Sequence, residues 1–285
     1  MTREREQRTD AVVYHPSREF VESTNVYDFM QTYDVDDYED LIERTTTTVE
    51  GEPRSGVTWF WDELVDYLDI EFYEGYDAVR NDAEGPQFTE WYPGSELNAA
   101  HNTVDRHAAP DSGRRNTVAC IWEGEPGDVR EVTYHELHRQ SNRVANYLES
   151  RGIETGDTVG LYMPMIPELP IAMLACARIG APHSVVFAGF SAEALATRME
   201  AADSEYLVTA NGYFRRGDPL DHFGKTREGL ASVGHDVSDV VVVDRLGDDG
   251  HGYDLESNEH YYDDLVAANE GAEVEPVTRD AEDML

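Results

Sequence analysis

The chain has 285 residues, 40 % of them hydrophobic, which is enough for one large or two ordinary folded domains. It carries 59 acidic and 22 basic residues, giving a formal net charge of −37 at pH 7. The acidic residues are dispersed among aromatic and β-branched ones, so the pattern favours a folded domain with an acidic surface over a disordered acidic tail. Such a surface offers no basic patch, and we therefore exclude nucleic acid and anionic membranes as expected partners.

The acidic excess predicts adaptation to a salty cytoplasm. Like charges repel one another and oppose compaction at ordinary ionic strength, whereas about 1 M salt shortens the screening length to about 3 Å. Met1 to Asp10 lack the apolar run of a secretory signal. The longest apolar run, Leu169 to Ala177, is too short to span a bilayer. We therefore expect a soluble, cytoplasmic protein.

Residues up to about 90 show no strand alternation and are predicted to form helices with ordered loops. Tyr38–Arg44 is one helical stretch, and Trp59–Tyr73 is a second. One face of this second helix is predicted to carry the apolar residues Trp61, Leu64, Val65, Leu68 and Phe72. We predict a helical and loop-rich N-terminal extension over residues 1–110.

From about Asn116 the pattern changes to alternating strands and helices. The predicted strands are Thr117–Trp122, Arg130–Tyr134, Asp157–Met163, His183–Phe187, Tyr206–Thr209 and Val240–Asp244. The predicted helices begin at Thr133 and Pro167 and cover Ala192–Ala201, Pro219–Val233 and His260–Ala268. Glu136, three residues after Thr133, completes a capping box. Alternation with this period predicts an α/β fold over residues 111–285, with an incomplete doubly wound, largely parallel sheet.

Two short segments suggest a ligand site. Phe187-Ala188-Gly189 joins a strand end to a helix, the position at which open α/β sheets bind ligands. A packing turn that merely needs a glycine is the alternative. Arg215 and Arg216 follow another strand end, and guanidinium groups bind phosphates through paired hydrogen bonds. Surface salt bridges are the alternative for this arginine pair.

The remaining polar motifs predict neither a metal site nor a catalytic residue. His135 and His138 are three residues apart, whereas the zinc-binding helix motif needs two histidines four apart. Asp105-Arg106-His107 is interpreted as an ion pair, with a histidine packed beside it, that braces the loop before the first strand. Cys120 and Cys176 lie within apolar runs and are expected to be free, buried thiols.

Three longer stretches stand out as motifs: WYPGSELNAAHNTVDRH at Trp91–His107, VGLYMPMIPELPIAMLACARIGAPHSVVFAGF at Val159–Phe190 and NGYFRRGD at Asn211–Asp218. Together they resemble AMP-forming acetyl-CoA synthetases (acetate–CoA ligases) of the acyl-adenylate-forming superfamily. The helical extension also resembles the segment that precedes the adenylating domain in this family. From about residue 35 to its end, the chain is identified as the N-terminal part of such an enzyme, of a halophilic type.

The resemblance implies a two-step reaction. ATP and a carboxylate form an acyl-adenylate and pyrophosphate, and the thiol of CoA then displaces AMP. By the same resemblance, CoA is expected to contact Phe187, Ala188, Gly189, Arg215, Arg216, Gly217 and Asp218. Many relatives have glycine in place of Ala188 and a basic residue in place of Asp218. These departures are expected to narrow the approach to the strand end and to lower the positive charge near the phosphates.

The resemblance also implies that the ATP chemistry lies outside this chain. In relatives, a phosphate loop ending in Pro-Lys-Gly follows a segment like Asp280–Leu285, and Lys225, the only lysine here, is not in that context. The sites for ATP and Mg²⁺ and the C-terminal catalytic lysine are thus expected elsewhere, and the chain alone is expected to be inactive. Its expected partner is a complementary C-terminal synthetase polypeptide. A CoA-binding module and a module that docks on an intact synthetase are the alternatives. Acetate is the default acyl substrate, and propionate or another short acid stays open.

Overall fold

The computed structural model describes residues 14–285 and divides the chain into two compact units, one ending at Ile70 and the other beginning at Glu71. Met1–Asp10, interpreted above as lacking a secretory signal, lies outside the described residues. The α-helices are α1 Arg18–Glu22, α2 Asn25–Thr32, α3 Tyr38–Thr46, α4 Val57–Tyr67, α5 Arg106–Ala108, α6 Tyr134–Ser150, α7 Glu168–Ile179, α8 Ala192–Ala201, α9 Phe223–Leu230 and α10 Tyr262–Ala268. The strands are β1 Arg80–Asn81, β2 Glu90–Trp91, β3 Glu96–Leu97, β4 Val118–Glu123, β5 Val129–Thr133, β6 Val159–Met163, β7 His183–Phe187, β8 Tyr206–Ala210, β9 Gly212–Arg215, β10 Asp218–Asp221, β11 Asp239–Val243, β12 Glu259–Tyr261 and β13 Arg279–Asp280.

Helices α2, α3 and α4 of the first unit pack around a small aromatic core. Phe29 is buried at its centre, and its ring lies 4.7 to 6.3 Å, between centroids, from four other aromatic rings. The four partners are Tyr33, Trp59, Phe60 and Tyr67. Contact between aromatic rings and burial of their area stabilise this unit without a β-sheet.

The predicted helix Trp59–Tyr73 is too long, and its predicted apolar face is only partly right, because Val65 is buried and Leu64 packs against the aromatic core. Helix α4 ends at Tyr67 because Asp69 adopts a φ of +54°, and the amide of Ile70 donates to the carbonyl of Val65 at 3.0 Å. This pattern is a Schellman ending, which reverses the chain direction. Trp61 is 38 % and Leu68 48 % exposed, since the core is filled by the neighbouring aromatic side chains instead.

A five-stranded parallel sheet forms the centre of the second unit, with the strand order β12-β11-β8-β6-β7. Val241 and Val243 of β11 belong to the core under α6, α7 and α10, and Val240 and Val242 belong to the core under α8 and α9. Alternate residues of one strand thus pack against helices on opposite faces. This arrangement confirms the predicted α/β fold with a largely parallel sheet.

Several predicted boundaries agree with the structure because local hydrogen bonds define them. Strand β7 and helix α8 have the predicted limits. The Thr133 hydroxyl accepts a hydrogen bond from the amide of Glu136 at 3.2 Å, which confirms the predicted start of α6. Gly152, with a φ of +90°, lies directly after the end of this helix.

Two predicted helices are wrong at their N-terminal ends. Residues Asp218–Asp221 form β10, which pairs antiparallel with β9, so the helix predicted from Pro219 begins only at Phe223. Strand β12 occupies the start of the helix predicted from His260. The region before residue 91, predicted to lack strands, also contains the short antiparallel pair of β1 and β2. In each case the strand is two to four residues long, too short to show an alternating pattern.

Residues 71–110 belong to the second unit and pack on the helix α7 of its parallel sheet. The side-chain amide of Asn98 donates to the backbone carbonyls of Ala177 and Val277 at 2.9 and 2.8 Å. Asp105 forms an ion pair with Arg178 of α7, not with its neighbour Arg106 as the sequence predicted. The predicted domain boundary at residue 110 remains a prediction, whereas the compact units divide at Ile70.

Two further features bear on the sequence-based expectations. Cys120 and Cys176 are both free thiols, with Cys176 buried and Cys120 only partly so, and burial raises the pKa of Cys176 to about 12. None of the helices within residues 14–285 combines the length and the apolar character needed to cross a membrane.

Candidate functional site

A cleft of about 270 Å³ opens at the carboxyl ends of β6 and β7. Its walls come from the β4–β5 turn, the segment after β6, the end of β7 and the hairpin formed by β9 and β10. Parallel strands end at one edge of the sheet, so segments far apart in sequence meet there. The cleft brings together three of the predicted residues, Phe187, Ala188 and Arg215.

The end of β7 presents one aromatic side chain and one backbone carbonyl to the cleft. Phe187 is 53 % exposed, whereas Ala188 is buried. The ammonium group of Lys225 donates to the carbonyl of Ala188 at 3.2 Å. A Cβ on Gly189 would lie 2.6 Å from the Phe187 ring, so the glycine allows the ring to fold over this turn. Ser191 then caps α8 by accepting from the amide of Ala194.

The predicted Arg-Arg-Gly-Asp segment is the tip of the β9–β10 hairpin. Arg216 and Gly217 have φ angles of +57° and +87°, the signature of a type I′ turn of two residues. A non-glycine residue in this left-handed region costs about 1 kcal/mol. Arg215, the last residue of β9, lines the cleft, and Arg216, Gly217 and Asp218 lie beyond its wall.

Three further residues of the cleft were missed by the sequence analysis. The Arg245 guanidinium lies between the rings of Trp122 and Phe214, at 5.0 and 5.2 Å from their centroids. These distances fit cation–π contacts. Arg245 also pairs with Asp128 at 2.9 Å. No spacing connects residues 122, 214 and 245, and the only local signal was the tight turn after Trp122.

The two hairpins that border the cleft are joined by one hydrogen bond. The amide of Gly217 donates to the Glu125 carboxylate at 2.7 Å. Glu125 belongs to the β4–β5 turn, and Gly217 to the tip of the β9–β10 hairpin. A carboxylate of one hairpin therefore accepts a hydrogen bond from a backbone amide of the other, an amide that is suited to donate to an anion.

A buried histidine, His222, follows directly after β10 and packs against β6. His222 is fully buried, and its Nε2 donates to the carbonyl of Tyr162 at 3.0 Å. Its ring lies 4.1 Å from that of Tyr162, and desolvation lowers the pKa of His222 to about 4. The imidazole is therefore neutral near pH 7, and its role is packing rather than charge.

Metal binding finds no support in the described part of the chain. Within residues 14–285, no group of three or more His, Cys, Asp and Glu side chains could hold a metal ion. We derive no step that uses a metal ion.

Comparisons with known proteins cover nearly the whole chain. Residues 105–285 match the family described as "AMP-binding enzyme", and residues 54–103 match "Acetyl-coenzyme A synthetase N-terminus". The chain is 43 % identical to the acetyl-coenzyme A synthetase of Methanothrix thermoacetophila, over 79 % of this chain and 33 % of the relative. It is 38 % identical to that of Leptospira biflexa, over 88 % of this chain and 36 % of the relative.

The solved structure of acetoacetyl-CoA synthetase from Streptomyces lividans has the same fold. It aligns with a TM-score of 0.74 and 22 % identity, over 94 % of this chain and 39 % of the solved one. The chain spans about a third of the length of the curated relatives it matches.

Proposed function

The chain belongs to the AMP-binding enzyme family, and on that premise we propose that it is the N-terminal portion of an AMP-forming ligase for acetate or another short-chain carboxylate. The complete enzyme would convert ATP, carboxylate and CoA into acyl-CoA, AMP and pyrophosphate through an acyl-adenylate. The observation that carries this proposal is the match of residues 54–103 and 105–285 to the two consecutive family regions. The identity of 43 % with an acetyl-coenzyme A synthetase supports acetate as the first substrate to test.

Within that enzyme, we propose that this chain contributes scaffold and part of the CoA site. Arg215 borders the cleft and would bind a CoA phosphate, since guanidinium groups form charge-assisted hydrogen bonds with phosphate oxygens. Phe187 presents an exposed ring on which the adenine could stack. The proposed site consists of Phe187, Ala188, Gly189, Arg215, Arg216, Gly217 and Asp218.

Removing the two hairpin arginines is expected to weaken CoA binding at least tenfold. A hydrogen bond to a charged group contributes about 1.5–3 kcal/mol, and about 1.4 kcal/mol corresponds to a factor of ten in affinity. Arg215→Ala should account for most of the loss because only Arg215 lines the cleft. Arg216→Asn should lose less, since it creates the Asn-Gly pair that type I′ turns favour. Titration calorimetry with CoA in concentrated KCl measures these affinities.

The control for this experiment is the double variant Arg114→Ala, Arg139→Ala. Both arginines are exposed and lie outside the cleft, so the control removes the same charge elsewhere. Unchanged CoA affinity in the Arg215→Ala, Arg216→Ala variant would remove both residues from the proposed site.

The chain alone is expected to show no exchange between ATP and pyrophosphate in the presence of acetate. Phosphoryl chemistry of this kind needs groups that hold the phosphates and a metal ion, and we propose that these lie outside this chain. The measurement is incorporation of labelled pyrophosphate into ATP, with protein from a host that lacks its own synthetase. Exchange by this preparation would contradict the proposed division of sites. A complementary C-terminal synthetase polypeptide, added to the same assay, is the proposed partner and should restore exchange.

A second candidate function is a non-catalytic module that binds CoA or docks on an intact synthetase. The observation in its favour is that the parallel sheet has buried cores on both faces within this chain. CoA binding without complementation by a C-terminal polypeptide would favour this candidate. For either function we propose the cytoplasm of a salt-adapted cell, on the basis of the net charge of −37.

A further inference from the structure

Glu125 is placed where an anionic ligand of the hairpin would bind. Its carboxylate oxygen accepts the amide hydrogen of Gly217 at 2.7 Å. The two residues of the turn, Arg216 and Gly217, both have positive φ, and such turns expose amides that bind anions. A carboxylate and a phosphate both present negatively charged oxygen acceptors to an amide.

The turn that carries Glu125 is held in a defined position. The amide of Gly124 donates to the carbonyl of Asp128 at 2.8 Å, which closes the β4–β5 turn. The Asp128 side chain pairs with Arg245, which is itself held between Trp122 and Phe214. A Cβ on Gly124 would lie within 3 Å of both partners of this ion pair, so only glycine leaves it undisturbed. Glu125 is thus supplied by a rigid neighbouring hairpin.

We propose that Glu125 is an internal competitor that determines which ligands the hairpin accepts. Its carboxylate accepts from the Gly217 amide, and a phosphate group must displace it to bind that amide and Arg215. This inference rests on the proposed function, because it assigns a second role to the edge of the proposed CoA site. A neutral ligand offers no anionic oxygen to replace the carboxylate, so the competition acts on anionic ligands such as phosphates and not on neutral ones.

Replacing Glu125 should therefore raise affinity for phosphates selectively. We expect Glu125→Gln to bind CoA and inorganic pyrophosphate about fivefold more tightly than the wild-type chain, the scale of an exposed charged pair. Glu125→Ala, which removes the acceptor as well as the charge, should gain at least as much. Pantetheine, which carries no phosphate, should bind the wild-type chain and both variants equally. Calorimetry on the full chain at one fixed KCl concentration gives these affinities.

Two further measurements separate competition from a general change in charge. Glu131→Gln removes one charge from β5 of the same two-stranded sheet, where the side chain is exposed and away from the cleft. It should leave every affinity unchanged. In glycine-labelled protein, the amide resonance of Gly217 should shift on Glu125→Gln and again when pyrophosphate is added.

The outcomes distinguish this inference from the proposed function. Equal gains in Glu125→Gln and Glu131→Gln, or no gain in Glu125→Gln while Arg215→Ala loses CoA, would overturn the inference and leave the CoA site standing. A gain for pyrophosphate without CoA binding by any variant would support the inference and reject the CoA site. Absence of binding to all three probes by every variant would reject both.

Discussion

Transfer from about 3 M to about 0.1 M KCl is expected to unfold most of the chain at 25 °C, because the screening length rises from under 3 Å to about 10 Å. The excess of 37 acidic over basic residues has no opposite charge to pair with. Several surface arginines are already used in ion pairs, such as Arg44 with Asp40 at 2.9 Å and Arg80 with Asp82 at 2.7 Å. Self-repulsion of this surface then opposes the folded state, and a loss of about 5 kcal/mol equals the whole stability of a domain at the lower end of the usual range.

Urea unfolding followed by circular dichroism at a series of KCl concentrations measures this effect. Salt also stabilises proteins by exclusion from their surface, so a charge variant is needed to isolate repulsion. Glu131→Gln, Glu149→Gln, Glu228→Gln removes three exposed carboxylates of the second unit and should fold at lower KCl than the wild-type chain. An unfolding free energy that is the same at both salt concentrations, or a triple variant with unchanged salt dependence, would contradict the predicted halophilic adaptation.

The second large effect on stability is expected when a buried ion pair between α7 and residues 71–110 is broken. Arg178 is 1 % exposed, it forms an ion pair with Asp105, and it donates to the carbonyl of Val274 at 2.9 Å. Arg178→Met should lower the free energy of unfolding by about 3–5 kcal/mol, since the Asp105 carboxylate would remain in a largely buried site without its guanidinium partner. Its other basic neighbour, His138 at 3.6 Å, compensates little because burial lowers the pKa of that histidine. Urea unfolding in concentrated KCl measures this loss.

A double-mutant cycle tests the physical reason for that loss. Arg178→Met, Asp105→Asn removes both charges and should be more stable than Arg178→Met alone, because no uncompensated carboxylate remains. Arg18→Met breaks an exposed ion pair with Glu22 and should change stability by less than about 1 kcal/mol. An unfolding free energy of Arg178→Met within about 1 kcal/mol of the wild-type value would contradict a large contribution of this ion pair to stability.

The same network explains two of the motifs that carry the family resemblance. Asn98 belongs to the first motif, and Arg178 to the Ala-Cys-Ala-Arg-Ile-Gly helix of the second. The Asn98 amide donates to the carbonyls of Ala177 and Val277, and the amide of Val277 donates to the carbonyl of Arg178 at 2.8 Å. These motifs therefore hold residues 71–110 and the segment near Val277 onto the sheet unit. The role of Asn98 and Arg178 within these motifs is structural.

The predicted elements that agree with the structure are those defined by neighbouring residues. Thr133 and Glu136 mark the start of α6, and an apolar run gives β7 with its predicted limits. The β9–β10 hairpin was predicted instead as a loop followed by a helix. All four residues of β10 are exposed, so no apolar alternation marks it, and Arg216 occupies a turn position where asparagine or glycine is the usual signal.

The residues of the candidate site also fall into those that the sequence could predict and those that it could not. Phe187, Ala188 and Arg215 could be predicted because strand ends and arginine pairs are visible in a short stretch of sequence. Trp122 and Arg245 could not, since 123 positions separate them and neither has a spacing that indicates a partner. Glu125 could not be predicted either, because its contact with Gly217 depends on the orientation of two separate hairpins.

The sequence alone determined the acidic surface, the alternation of strands and helices and the family resemblance, because these depend on composition and on contacts between near neighbours. Tertiary structure decided that Asp105 pairs with Arg178, which side chains of α4 pack in the core and which charged side chains line the cleft. The physical reason is that parallel strands end at one edge of the sheet, and side chains that are distant in sequence become neighbours only after the helices have packed on both of its faces.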